Sequence, residues 1–139
     1  MEGKKITELK IGDSAYVEKT ITEADVYMFA GVTGDFNPAH VSEEGAKKGM
    51  FKTRIAHGML SGGLISAVLG TQLPGPGGIY LGQELKFTAP VFFGDTIRAT
   101  ATVIEILVEK NICKLSTICT NQDGKVVVEG VATLMATKV

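Results

Sequence analysis

Seven consecutive residues, Gly34-Asp35-Phe36-Asn37-Pro38-Ala39-His40, put one of the chain's two histidines five positions after a carboxylate. On a helix that spacing would turn the two side chains onto different faces, because helical neighbours sit three or four apart. Asn37-Pro38 argues for another geometry. Proline drives the residue before it out of the α region, so the segment is expected to be a non-helical loop that folds back on itself. An acid and an imidazole converging on one water form a general acid–base pair. Taken alone, an Asp-x-Asn-Pro stretch is also a common turn, since Asp and Asn bond their own backbone and proline fixes φ. The elements around it must decide between the two.

Ser14 to Ile21 reads as a strand. Thr22 follows as a helix N-cap, with Glu23 and Asp25 in the first turn where negative charge suits the helix dipole. Val26, Phe29 and Ala30 give that helix an apolar face, and Gly34 stands at its C-terminal cap. Asp35 is then the first residue beyond a helix. Ser42 to Lys48 is a candidate for a second, short helix. From His57 to Leu73 the apolar residues Met59, Leu60, Leu64, Ile65, Val68 and Leu69 spread around the whole wheel, which predicts a helix buried on all sides. Gly58, Gly62 and Gly63 each cost that helix about 1 kcal/mol relative to alanine. The cost makes sense where another backbone or a ligand must approach closely.

The C-terminal half has the pattern of antiparallel sheet. Ile79, Leu81, Leu85 and Phe87 alternate with Tyr80, Glu84, Lys86 and Thr88, as in a half-buried strand. Thr96 to Glu109, Ile112 to Asn121 and Lys125 to Thr137 are three further runs rich in Val, Ile and Thr. Asp123-Gly124 between the last two predicts a hairpin with a type I′ turn. The fold class is therefore α+β, a long antiparallel meander curled around one central buried helix.

Residues 1–139 are expected to form a single domain, large enough to bury about 70% of the surface its unfolded chain exposes. Fourteen basic and fifteen acidic residues leave a net charge of −1. That balance offers no basic footprint for nucleic acid. Cys113 and Cys119 lie an even number of residues apart, so on one strand both point to the face of Leu115. They lack C-x-x-C spacing and have no histidine nearby, which predicts buried structural thiols rather than a metal site. No metal and no cofactor is expected. Met1 to Lys5 leads into no apolar stretch of the secretory kind, and no run is long enough to cross a bilayer. A cytoplasmic protein is the expectation.

Three motifs together resemble the MaoC-like, R-specific enoyl-CoA hydratase family. They are Gly34 to His40, close to that family's hydratase signature; Ala56-His57-Gly58-Met59-Leu60, opening the central helix; and Tyr80-Leu81-Gly82-Gln83 with Phe87, Pro90, Val91 and Gly94-Asp95 downstream. The resemblance runs from about Gly12 to the C-terminus. It implies the hotdog fold and a homodimer, or a higher homo-oligomer, with acyl tunnels near the interface. Its substrate would be an acyl-CoA. Carried over position by position, it makes Asp35 and His40 the groups that hold and activate water, and the Gly58 N–H the donor to the thioester oxygen. In some members a serine further along the helix supports the catalytic loop, and Ser66 holds that position.

Helix physics agrees with the role of Gly58, because the first N–H groups of a helix lack internal partners and point outward at the positive end of the dipole. Asn37 is expected to hold the loop through local backbone bonds, and His57 to orient the turn before the helix. Lys47, Lys48, Lys52 and Arg54 read as a solvated basic surface, with contacts to CoA phosphates as the other reading. The activity implied is reversible hydration of short-chain trans-2-enoyl-CoA, with crotonyl-CoA and (R)-3-hydroxybutyryl-CoA as the pair. Two alternatives stand beside it: a thioesterase on the same scaffold, and a non-catalytic acyl-CoA-binding module.

Overall fold

The computed structural model describes residues 2–139. Its centre is helix α4 (Gly58–Thr71), around which five antiparallel strands curl: β1 (Ser14–Thr20), β2 (Ile79–Phe87), β3 (Thr96–Leu107), β4 (Ile112–Thr120) and β5 (Val126–Met135). Their order across the sheet is β1-β3-β4-β5-β2. This is the hotdog arrangement, a sheet wrapped on a helix. The last three strands form the expected meander, but β2 does not join it beside β3. It pairs with β5 at the far edge instead.

The sheet's inner face is built by period-two alternation. Ile97, Ala99, Ala101 and Val103 of β3 line up with Cys113, Leu115, Thr117 and Cys119 of β4, all buried. Both cysteines thus lie where parity places them. Alanines at 99, 101 and 132 keep the sheet floor low, so Ile65, Val68 and Leu69 of α4 sit fully buried against it. Burial pushes the Cys119 thiol up to about 12 and raises that of Cys113 as well.

Three expectations need correction. The helix is not buried all round: Met59, Gly63, Ser66 and Gly70, spaced at three and four, form an exposed stripe on the side the sheet does not cover. Strand β2 is an edge strand, and Ile79, Leu81 and Phe87 are half exposed in the single chain. A register shift between Tyr80 and Gly82 also breaks its alternation, setting Tyr80, Gln83, Leu85 and Phe87 opposite inward residues of β5. Finally, the β4–β5 hairpin is present, but only Gly124 has positive φ (76°). Its Asn121 carboxamide oxygen accepts the N–H groups of Asp123 and Lys125, each at 3.0 Å. A type I′ turn would need positive φ at both central residues.

On the open end of the sheet lie α1 (Glu23–Thr33), α2 (Pro38–Val41) and α3 (Glu43–Ala46). Thr22 caps α1 in a full capping box with Asp25, and Gly34 closes it at φ 81°. Residues 54–57 then run as an extended link into α4. They pair with the β2–β3 connection through an Ile55–Phe92 bridge and through the Ala56 N–H donating to the Val91 carbonyl at 2.8 Å.

Candidate active site

Asp35 follows the left-handed cap of α1, and its backbone is tied down at once. Its N–H donates to the Thr33 hydroxyl at 3.2 Å, and its Oδ1 accepts the Asn37 N–H at 3.2 Å. Asn37 itself is non-helical (φ −52°, ψ 128°), as a residue before proline must be, and its side chain accepts the Ala39 N–H at 3.0 Å. Here the expectation of a wholly non-helical loop fails. Pro38 occupies the first position of a helical turn, where its missing N–H costs nothing and its fixed φ is preorganised. Residues 38–41 are that turn, α2, and His40 lies on it. Asn37 is therefore a cap as well as a loop brace.

His40 is held from the other side. Its Nδ1 lies 2.6 Å from the Ile55 carbonyl. A carbonyl only accepts, so Nδ1 carries the proton and Nε2 of the neutral ring keeps a free lone pair. The Ile55 N–H returns a bond to the Ala39 carbonyl at 3.0 Å. His57, 2% exposed, packs its ring on His40 with centroids 3.9 Å apart, and on Phe29 at 4.7 Å. Its Nε2–H donates to the Asp35 carbonyl oxygen at 2.9 Å. The 4.0 Å separation between that nitrogen and the Asp35 carboxylate is too long to be a competing bond.

Asp35, His40 and His57 thus come together, with one side-chain ligating atom from each lying within 4.8 Å of the others. The nitrogen that His57 presents there is a donor already committed to the Asp35 carbonyl. The Asp35 carboxylate and His40 Nε2 are left as the groups available to a substrate.

The third component is the start of α4. His57 is its N-cap, yet makes no side-chain capping bond because its ring is turned to Asp35. The Gly58 and Met59 N–H groups therefore have neither an intrahelical partner nor a cap. A cleft of about 570 Å³ opens beside them, lined by His40, Met50, Phe51, Met59, Phe87 and Val91 among others. A smaller one of about 220 Å³ lies against Asp35, Phe29 and Thr33. His40, Gly58 and Met59 border both. A methyl on Gly58 would stand 2.6 Å from the Phe87 ring, so the helix start is pressed as close to that ring as a bare Cα permits.

Ser66 is placed elsewhere. It is exposed on the α4 stripe, two turns from Gly58, and its hydroxyl makes no hydrogen bond to the Asp35–His40 loop among the described residues. Arg54 also departs from expectation. It is drawn into the protein rather than solvated with Lys48 and Lys52. The Ile55 carbonyl had no signal in residue types, since any residue supplies one.

A carboxylate and an imidazole beside an uncapped helix N-terminus, on a hotdog scaffold, mark out a class of proteins. The chain belongs to the MaoC-like domain family, whose profile matches residues 9–129. It is 59% identical to an (R)-specific enoyl-CoA hydratase of Rhodospirillum rubrum, over 92% of this chain and 88% of that protein. It is 44% identical to a 3-hydroxybutyryl-CoA dehydratase of Methylorubrum extorquens, over 94% and 83% respectively. Among solved structures it is similar to an unliganded R-hydratase from Pseudomonas aeruginosa. That likeness has a TM-score of 0.93 and 47% identity, covering 99% of this chain and 88% of the other.

Proposed function

We propose that this chain is an (R)-specific enoyl-CoA hydratase, a hydro-lyase that reversibly adds water to short-chain trans-2-enoyl-CoA. Crotonyl-CoA and (R)-3-hydroxybutyryl-CoA are the pair it interconverts. The carrying observation is the convergence of Asp35, His40 with its Nδ1 committed to the Ile55 carbonyl, and the uncapped N–H of Gly58 on the smaller cleft, which adjoins the larger one at His40, Gly58 and Met59. The names of the similar proteins point the same way.

In this reading the thioester oxygen sits on the Gly58 N–H, and water lies between the Asp35 carboxylate and His40 Nε2. The water oxygen forms a bond to C3, and the C2–C3 π electrons move toward the thioester to give an enolate. Charge developing on that oxygen meets a preorganised donor, an interaction typically worth about 3 kcal/mol in the transition state. Between them, Asp35 and His40 accept the proton leaving the water and supply the one that arrives at C2. The sum is one water added and no redox change. Dehydration runs the same steps backward. The stacked His57 ring and the Asn37 cap keep the two groups in register.

A homodimer is part of the proposal. The free edge of β2, with Ile79 and Leu81 exposed, continues into the uncovered α4 stripe, and a second copy would bury both. Ser66 belongs to that stripe, so its role is assigned to the shared face rather than to the loop. Sedimentation of the purified protein as a monomer would remove this part.

Loss of the conjugated enoyl-thioester absorbance with crotonyl-CoA, followed by chiral analysis, tests the activity. The R product is expected, and exclusive S product or no hydration rejects the reading. Release of CoA thiol would point to a thioesterase, and binding without turnover to a non-catalytic module. A thiol reagent reports the first cleanly, because both protein cysteines are buried with raised pKa.

A further inference from the structure

Arg54 is the one cation of the Lys47–Arg54 group whose charge is turned inward, with its side chain only 19% exposed. Its Nη1 donates to the Tyr27 hydroxyl at 2.6 Å and its Nη2 to the Glu23 carboxylate at 3.0 Å. Its Nε is enclosed without a protein partner, and the guanidinium lies 4.8 Å from the Phe93 ring centroid. Desolvation works against the charge, but Glu23, Tyr27 and Glu43 outweigh it and hold the pKa above the ordinary arginine value. All this interaction serves a residue that touches neither cleft.

Its position explains it. Glu23 and Tyr27 are successive turns of α1, the helix whose far end presents Asp35. Arg54 is covalently next to Ile55, whose carbonyl sets the His40 tautomer, and three residues before His57, whose ring holds the Asp35 carbonyl. The Tyr27 hydroxyl also donates to the Val41 carbonyl, at 3.4 Å, beside His40. One planar fork therefore joins the helix that carries the acid to the strand-like link that anchors the imidazole.

We infer that Arg54, acting through Tyr27 and Glu23, is a positioning residue that sets the spacing of Asp35 and His40. The inference rests on the hydratase reading for its kinetic test. It assigns Arg54 away from CoA phosphates, since both terminal nitrogens are engaged and the third is enclosed. Lys48 and Lys52, exposed and without an ion pair among the described residues, are the cations left for an anion.

Arg54→Lys is the first variant. An ammonium keeps the charge but cannot reach two partners as a fork and lie flat on an aromatic ring. The expected result is a kcat for crotonyl-CoA about 10- to 100-fold lower, the scale of a slight misplacement of reacting groups, with KM changed by less than about twofold. The melting temperature should stay close to wild type. Tyr27→Phe removes only the hydroxyl and should lower kcat in the same way but less. The double variant should lose less than the product of the singles, because the two residues act as one unit.

An unchanged kcat in Arg54→Lys overturns the inference, as does a raised KM at constant kcat, which would mark a phosphate contact. A large drop in melting temperature with normal kcat per folded molecule also overturns it, since that is a purely structural role. Nitrogen NMR of the imidazoles reads the same geometry without turnover. Wild-type His40 should show a protonated Nδ1, and the Arg54→Lys ring a mixed signal; an unchanged ring rejects the inference. Absence of hydration by the wild type rejects the hydratase reading separately.

Discussion

The sheet and the segment from Thr33 to Gly58 are held together in opposite ways. In the sheet, every strand pairs along most of its length, and the inner face contributes a continuous buried layer from Ile97 to Leu134. Such a structure distributes its stability over many equivalent contacts. The site segment has almost no apolar core of its own. It is fixed by single bonds of short reach: an Asx turn at Asp35, a cap at Asn37, one carbonyl on His40 and one ring nitrogen on Asp35. Placement there depends on individual atoms, and under the proposed function this predicts that what controls rate is separate from what controls folding.

The largest effect should come from removing the chemistry without touching the packing. His40→Gln and Asp35→Asn are each expected to lower kcat about 10²- to 10⁴-fold, the usual weight of general acid–base catalysis. Melting temperature should barely move in Asp35→Asn, because the Asp35 side chain is 51% exposed, and should fall more in His40→Gln, which loses the Ile55 bond and the stacking on His57. Near-normal turnover in either variant would dissolve the distinction. The converse variant is Leu115→Ala, at a side chain wholly buried on β4. Chemical denaturation should show a loss of about 2–5 kcal/mol, with kcat per folded molecule unchanged. A matching loss of kcat would mean that the sheet and the site are coupled.

Gly58→Ala tests the border between the two regions. The new methyl would meet the Phe87 ring, so either the ring or the helix start must shift. A displacement at the donor is expected to cost about tenfold in kcat/KM, in keeping with the sensitivity of reacting geometry to small shifts. An unaffected kcat/KM would show that Phe87 simply swings aside and that the donor has slack.

The same contrast explains what could be read in advance. Periodicity and caps are local, so Thr22, Gly34, the strands and the shared face of Cys113 and Cys119 were legible residue by residue. The resemblance singled out Asp35, His40 and Gly58, and the structure brings all three to the border of one cleft. What escaped depended on partners distant in sequence or on backbone atoms. The edge position of β2 is a matter of topology, and its apolar residues look the same whether a strand of this chain or a second copy covers them. Pro38 was read as a breaker when it is also a good first helical residue. Arg54 looked like its lysine neighbours because its partners, Tyr27 and Glu23, lie 27 and 31 residues earlier in the chain.

The smallest effect expected concerns how the two regions respond to acid. Glu43 accepts the Thr53 hydroxyl at 2.6 Å and the Arg54 N–H at 3.0 Å. The Thr53 bond foremost, then the Arg54 N–H and the charges of Arg54 and Lys47, lowers its carboxyl below the ordinary 4.5. A carboxylate with a lowered folded pKa binds fewer protons folded than unfolded, so its contribution is complete above the unfolded value and fades as pH falls through the folded one. Glu43→Gln should therefore melt slightly below wild type near neutrality, and the gap should close as pH falls below the ordinary carboxyl value of 4.5 and through the lowered folded one. A gap that widens in acid would mean that Glu43 strains the Thr53–Arg54 link instead of tethering it. The acid-labile tether would then have to lie outside the site segment, with Asp25 in the α1 capping box the next carboxylate held below its ordinary range.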